Sequence, residues 1–184
     1  GSRPATAATA TEGKSGAGRR VSALVPGREG DGRPHLTLLD AKVTGLNFSN
    51  SIPEVRHLTN QVLLNGSGLT AGDDDGDGLI DVFCAGFDTQ KKKKKNLGQW
   101  RFEDATAAAG AALPGLDCTG AAFADLDGDG DLDLVVQTLV QGTRILLNDG
   151  HGHFTVSPLV LNPGRGGMTV AVADYDGDGW LDLY

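Results

Sequence analysis

Apolar residues in this chain fall in short runs separated by glycine and aspartate, and they hardly ever recur at helical spacing. Three runs of small and apolar residues, Gly68-Leu69-Thr70-Ala71-Gly72, Gly120-Ala121-Ala122-Phe123-Ala124 and Thr169-Val170-Ala171-Val172-Ala173, each lead into an aspartate-rich window. Each window then leaves into a second run: Leu79-Ile80-Asp81-Val82-Phe83, Leu132-Asp133-Leu134-Val135-Val136 or Trp180-Leu181-Asp182-Leu183-Tyr184. Short apolar runs bounded by turn residues predict strands. The one stretch with weak helical character is Glu103 to Ala112, rich in alanine and closed by glycine and proline.

The windows repeat. Their first aspartates, Asp73, Asp125 and Asp174, lie 52 and then 49 residues apart. After its exit run the second repeat continues through Arg144 to Asn148, a glycine-rich Asp149 to Gly152, and His153 to Val156, which reads as strand, hairpin, strand. A unit of roughly 50 residues with four short strands has the size of one propeller blade. The predicted fold is therefore all-β, a partial β-propeller of four-stranded blades. The first repeat breaks the pattern, because aligning Asn96-Leu97-Gly98 with Asn148-Asp149-Gly150 sets Lys93 to Lys95 against Ile145 to Leu147. Lysines fit poorly in a half-buried strand. The run Lys91 to Lys95 therefore reads as a solvated segment, with an anion-binding patch or an engineered or placeholder stretch as the other readings.

Composition divides the chain into a tail, residues 1 to 35, and the repeats, residues 36 to 184. The tail holds almost nothing large and apolar, so burial cannot offset its ordering entropy and disorder is expected. Gly13-Lys14-Ser15 lacks the earlier glycine and the preceding strand of a phosphate-binding loop. No apolar run approaches the length of a membrane span, and a formal charge of −8 argues against a nucleic-acid-binding surface. No apolar signal-peptide core is present either, so an export signal is expected to have been removed or to lie outside this sequence.

Fourteen of the 24 acidic residues sit in the three windows. Each reads D-x-D-x-D-G-x-x-D, so short carboxylates at positions 1, 3 and 5 converge where Gly78, Gly130 or Gly179 permits a left-handed turn. The candidate ligands are Asp73, Asp75, Asp77, Leu79 and Asp81; Asp125, Asp127, Asp129, Asp131 and Asp133; and Asp174, Asp176, Asp178, Trp180 and Asp182. Position 7 (Leu79, Asp131, Trp180) would offer its backbone carbonyl and position 9 a closing carboxylate. Clustered carboxylates repel at roughly 4 kcal/mol per pair 4 Å apart, at an effective dielectric near 20. A divalent cation removes that repulsion. An all-oxygen donor set of flexible geometry favours Ca2+ over Mg2+, with about one ion per loop and up to three in all. Three ions would raise the formal charge from −8 to −2. An EF-hand is excluded, since its position 12 requires Glu and here holds Cys84 or Val136.

Ala124 to Leu134 and Ala173 to Tyr184 resemble FG-GAP/VCBS repeats, the blades of integrin-α-like propellers. Trp100-Arg101-Phe102-Glu103-Asp104-Ala105-Thr106, running on to Gly110, and Thr44-Gly45-Leu46-Asn47-Phe48 are further similar to the ASPIC/UnbV (cartilage acidic protein-like) branch. The likeness covers about residues 36 to 184. It implies a seven- or eight-bladed ring, of which this chain holds a fragment ending inside a blade, with calcium in the inter-strand loops. It also implies a secreted, periplasmic or cell-surface protein that recognises or adheres to a protein or carbohydrate ligand. No nucleophile-and-base set is recognisable, so the expectation is a non-enzymatic module. The alternative is the propeller scaffold of a secreted polysaccharide lyase or hydrolase. Cys84 and Cys118 fall at the blade end away from the windows, as a bridge or as two separate thiols. His151 and His153 read as turn residues, Trp100 and Trp180 as structural, and Asn47 and Asn65 as glycosylation acceptors in a eukaryotic source.

Overall fold

The computed structural model describes residues 38–50, 52, 54–59, 67–87 and 91–184. The expected tail, the Gly13-Lys14-Ser15 segment and Asn65 lie outside the described residues. Among those described, no helix is long and apolar enough to cross a membrane.

Two antiparallel four-stranded sheets form successive blades. Blade 1 runs β1 (Leu69–Gly72), β2 (Asp81–Cys84), β3 (Lys92–Asn96) and β4 (Phe102–Asp104), in that spatial order. Blade 2 runs β5 (Cys118–Ala124), β6 (Asp133–Thr138), β7 (Thr143–Asn148) and β8 (Phe154–Leu161). A third unit begins with the pair β9 (Val172–Ala173) and β10 (Asp182–Leu183). The register repeats between the blades: Val82 faces Lys94 as Leu134 faces Leu146, and Asn96 faces Phe102 as Asn148 faces Phe154. This is the order of a β-propeller, each window forming the turn between the first and second strands of its blade.

The core lies between the two blades. Phe83 and Ala85 of blade 1 pack with Leu134, Val136, Leu146 and Phe154 of blade 2, and Ala109, Ala111 and Leu113 of the connecting segment fill the gap. Each fully buried Leu or Phe in such a cluster contributes about 1.5–3 kcal/mol. The blades also meet through backbone: Gly68 N–H donates to Thr119 O (2.8 Å) and Cys118 N–H to Gly86 O (3.1 Å). Two glycines set the outer edges. Gly110 has φ +71°, and a Cβ there would stand 2.5 Å from the Phe154 carbonyl oxygen; Gly45 (φ +75°) lies against the Phe102 carbonyl in the same way.

The weak helix expected over Glu103 to Ala112 is corrected. β4 takes Phe102–Asp104, and a single turn closed by Ala109 N–H to Ala105 O (2.8 Å) follows. Thr106 Oγ1 bonds the Asp104 carboxylate and accepts from Lys93 N–H (3.0 Å), tying the stretch to β3 before a helix can propagate. Short helices stand instead at Ala41–Thr44 (α1), capped by Asp40 Oδ1 accepting from Lys42 N–H, and at Glu54–Thr59 (α2).

Cys84 and Cys118 are two buried free thiols, not a bridge. Burial pushes the Cys118 thiol up to about 12 and Cys84 also upward, with nearby lysines only partly opposing this. At pH 8 both stay protonated and out of reach. Ellman's reagent is expected to find no reactive thiol in the native chain and two after denaturation; rapid native labelling would contradict the packing.

Candidate metal centres

Each aspartate window folds into the same knot because glycines follow positions 3 and 5. Gly78, Gly130 and Gly179 take φ of +82°, +97° and +94°, a region that costs other residues strain. In loop 2 the Asp125 carboxylate accepts from Gly128 N–H (2.8 Å) and Gly130 N–H (3.2 Å), Asp127 from Asp129 N–H (3.3 Å), and Asp129 from Asp131 N–H (2.9 Å). Loop 3 repeats this with Asp174 bound by Gly177 and Gly179, Asp176 by Asp178, and Asp178 by Trp180. The closing carboxylates are clamped by position 2: Leu126 N–H donates to Asp133 (3.0 Å) and Tyr175 N–H to Asp182 (2.9 Å).

Two asparagines that the sequence reading passed over hold these loops to their blades. Asn148 N–H donates to Asp133 Oδ1 (2.8 Å) and its Nδ2 to Leu132 O (3.0 Å); Asn96 does the same to Asp81 (2.6 Å) and Ile80 O (2.9 Å). Asn148 Nδ2 also reaches Asp74 O at 2.6 Å, joining loop 2 to loop 1. The signal was the aligned Asn-x-Gly of the two hairpins.

In loops 2 and 3 the carboxylates at positions 1, 3 and 9 converge. One oxygen each of Asp125, Asp127 and Asp133, and one each of Asp174, Asp176 and Asp182, lie within 4.8 Å of one another. Asp129 and Asp178 stand outside these trios, each accepting the position-7 N–H with its Oδ1. The Asp131 carboxylate lies beside Gly150 of the hairpin, and Leu79, Asp131 and Trp180 give their N–H groups to the position-5 carboxylates. Burial pushes the Asp133 carboxyl up, the N–H groups of Asn148 and Leu126 pull it down, and the charges of Asp127 and Asp129 push it up further. Among the described residues, the ion pairs of lysine and arginine go to Asp74, Asp75, Asp77, Asp81, Asp104 and Asp117, none of them in loops 2 or 3. Clustered oxygens with unanswered negative charge fit a hard divalent cation.

Loop 1 differs. Its close groups are Asp73, Asp75 and Asp77, and Asp74, Asp75 and Asp81. Position 2, Leu126 and Tyr175 in the other windows, is Asp74, buried to 2% exposure. The lysine run, expected to be solvated, is here the strand β3: Lys91, Lys93 and Lys94 are at most 4% exposed. Register forces this, because Lys93 sits where blade 2 has Ile145, and the ammonium groups find partners. Lys93 Nζ lies 2.9 Å from Asp74 and 3.6 Å from Asp81, and Lys95 Nζ pairs with Asp75 and lies 3.3 Å from Asp77. Lys94 Nζ reaches Asn47 Oδ1 (3.5 Å), and Lys91 Nζ donates to Leu116 O (2.6 Å). Burial, outweighing Lys93, pushes Asp74 up to about 7; Asp75 is held low, Lys95 overcoming its burial, and Lys95 is pushed up by the same pair.

The tryptophans are not core residues: Trp100 is 68% and Trp180 63% exposed. The Trp180 ring lies over loop 2, where a Cβ at Gly128 would be 3.6 Å away. His151 and His153 are exposed on the hairpin, His153 facing Asp149 at 3.5 Å.

No curated protein matches the chain. The FG-GAP-like repeat matches residues 73–136 and 140–184, more than half of it, and each match opens or ends on an aspartate loop and its strands. With that match and blades that repeat in register, the chain belongs to the FG-GAP-like repeat family.

Proposed function

We propose that this chain is a calcium-stabilised propeller module, working outside the reducing cytosol to recognise a protein or carbohydrate ligand, with calcium in a structural role. One observation carries the calcium reading: in loops 2 and 3 the carboxylates of positions 1, 3 and 9 come within 4.8 Å of one another with no ammonium group among them. Asp125, Asp127 and Asp133, and Asp174, Asp176 and Asp182, would hold the ions, with position-5 carboxylates and position-7 carbonyls completing an all-oxygen set. Bound calcium supplies the positive charge that these carboxylates lack and ties the first strand of each blade to the second. Millimolar extracellular calcium fills even weak sites of this kind, which supports export. The finer placement in the ASPIC/UnbV branch rests on the likeness of Trp100 to Gly110 and of Thr44 to Phe48, in which Gly110 and Gly45 lie against the carbonyls of Phe154 and Phe102 in equivalent ways.

Calcium at a hundredfold excess over Kd stabilises by about 2.7 kcal/mol per site. For a domain of this size that is about 5–10 °C in Tm per site. Thermal melts in EDTA and in calcium are expected to differ by at least this much. Coincident melts would refute the calcium reading.

A further inference from the structure

We infer that loop 1 is neutralised from within by Lys93 and Lys95 and takes no calcium, so that this chain carries two calcium sites and not three. This rests on the calcium reading of loops 2 and 3. Lys95 Nζ touches two of the three carboxylates in the group Asp73, Asp75 and Asp77, and Lys93 Nζ touches two of the three in the group Asp74, Asp75 and Asp81. Both places a divalent ion would take already hold a cation of the chain.

Charge supports the same conclusion. Loop 1 gathers five aspartates and two ammonium groups, a formal charge of −3. Loop 2 has five aspartates and reaches −3 only when one divalent ion is added. Two lysines thus do in loop 1 what an ion would do in loop 2. An ion entering loop 1 as well would have to expel Lys95 and leave Lys93, 2% exposed, beside a second cation, a strongly unfavourable arrangement in so dry a place.

The ligand cage is altered to match. In loops 2 and 3 the first aspartate accepts two N–H groups, but among the described residues of loop 1 Asp73 accepts Gly78 N–H alone (2.9 Å). Asp81 Oδ2 faces Lys93, whereas its counterparts Asp133 and Asp182 take the N–H of position 2. The lysines stand at register positions that blade 2 gives to Ile145 and Leu147, so one pair of residues decides between an internal and an external cation.

Native mass spectrometry and calorimetric titration of the intact chain with Ca2+ read the number of ions directly. Two are expected. Asp127→Ala should leave one, whereas Asp75→Ala, at the same position of loop 1, should leave two, and the double variant Lys93→Ile, Lys95→Leu should bind three. Three ions on the unmodified chain, or a loss of one ion in Asp75→Ala, overturns the inference while sparing the calcium reading; none at all overturns that reading itself. Should the double variant fail to fold, the contrast between Asp75→Ala and Asp127→Ala decides the matter.

Discussion

Replacing Asp133 by alanine is expected to cost about 2–6 kcal/mol, because two N–H donors, each worth about 1–3 kcal/mol when left unpaired, lose their acceptor. The side chain is fully buried and accepts from Leu126 and Asn148, so it joins the loop to both β6 and β7. Asparagine keeps an acceptor and removes the charge that Asp127 and Asp129 repel, so Asp133→Asn should be the milder change in EDTA. Calcium should then help neither variant as much as it helps the unmodified chain. Urea denaturation with and without calcium checks both statements. A loss under about 1 kcal/mol for the alanine variant would mean that this carboxylate does not clamp the blade.

Gly110→Ala is expected to rank beside it. The left-handed φ of +71° costs alanine about 1 kcal/mol, and its Cβ would stand 2.5 Å from the Phe154 carbonyl oxygen. The backbone cannot retreat freely, since Phe154 N–H donates to Ala109 O at 2.8 Å and Ala109 and Ala111 lie in the core between the blades. The forced shift adds about 1–3 kcal/mol, as in other overpacked sites. Gly115→Ala is the control: φ is +74°, but nothing lies within 4 Å, so only the conformational part should appear. Equal urea midpoints for the two variants would show that the close approach at Gly110 carries no energy.

Much of this was legible before any coordinates. Blades and loops announce themselves because strands of period two and a turn that needs glycine at fixed offsets leave strong local marks, as in Leu132 to Val136 and the D-x-D-x-D-G windows. The lysine run was misread because propensity looks at one strand at a time. Its place is set by pairing with β2 and β4, and its charge is answered by Asp74, 19 residues earlier in the sequence and adjacent only once the blade closes. Asp74 itself looked like one more acid in an acidic window; the mark that separates it is the apolar Leu126 and aromatic Tyr175 at the same position elsewhere. The short helix α1 and the single turn after β4 owe their form to Asp40 and Asp104, whose carboxylates accept the N–H groups of Lys42 and Thr106 two residues on.

The amide of Asn148 that rests on the carbonyl of Asp74 has a consequence for how the protein breathes. Because the same residue binds Leu132 and Asp133, the hairpin cannot lift from one blade without loosening the other. Backbone protons at Asn148 and Gly152 should therefore trade with deuterated solvent only in openings that span both sheets, making the pair one cooperative unit instead of two that melt in turn.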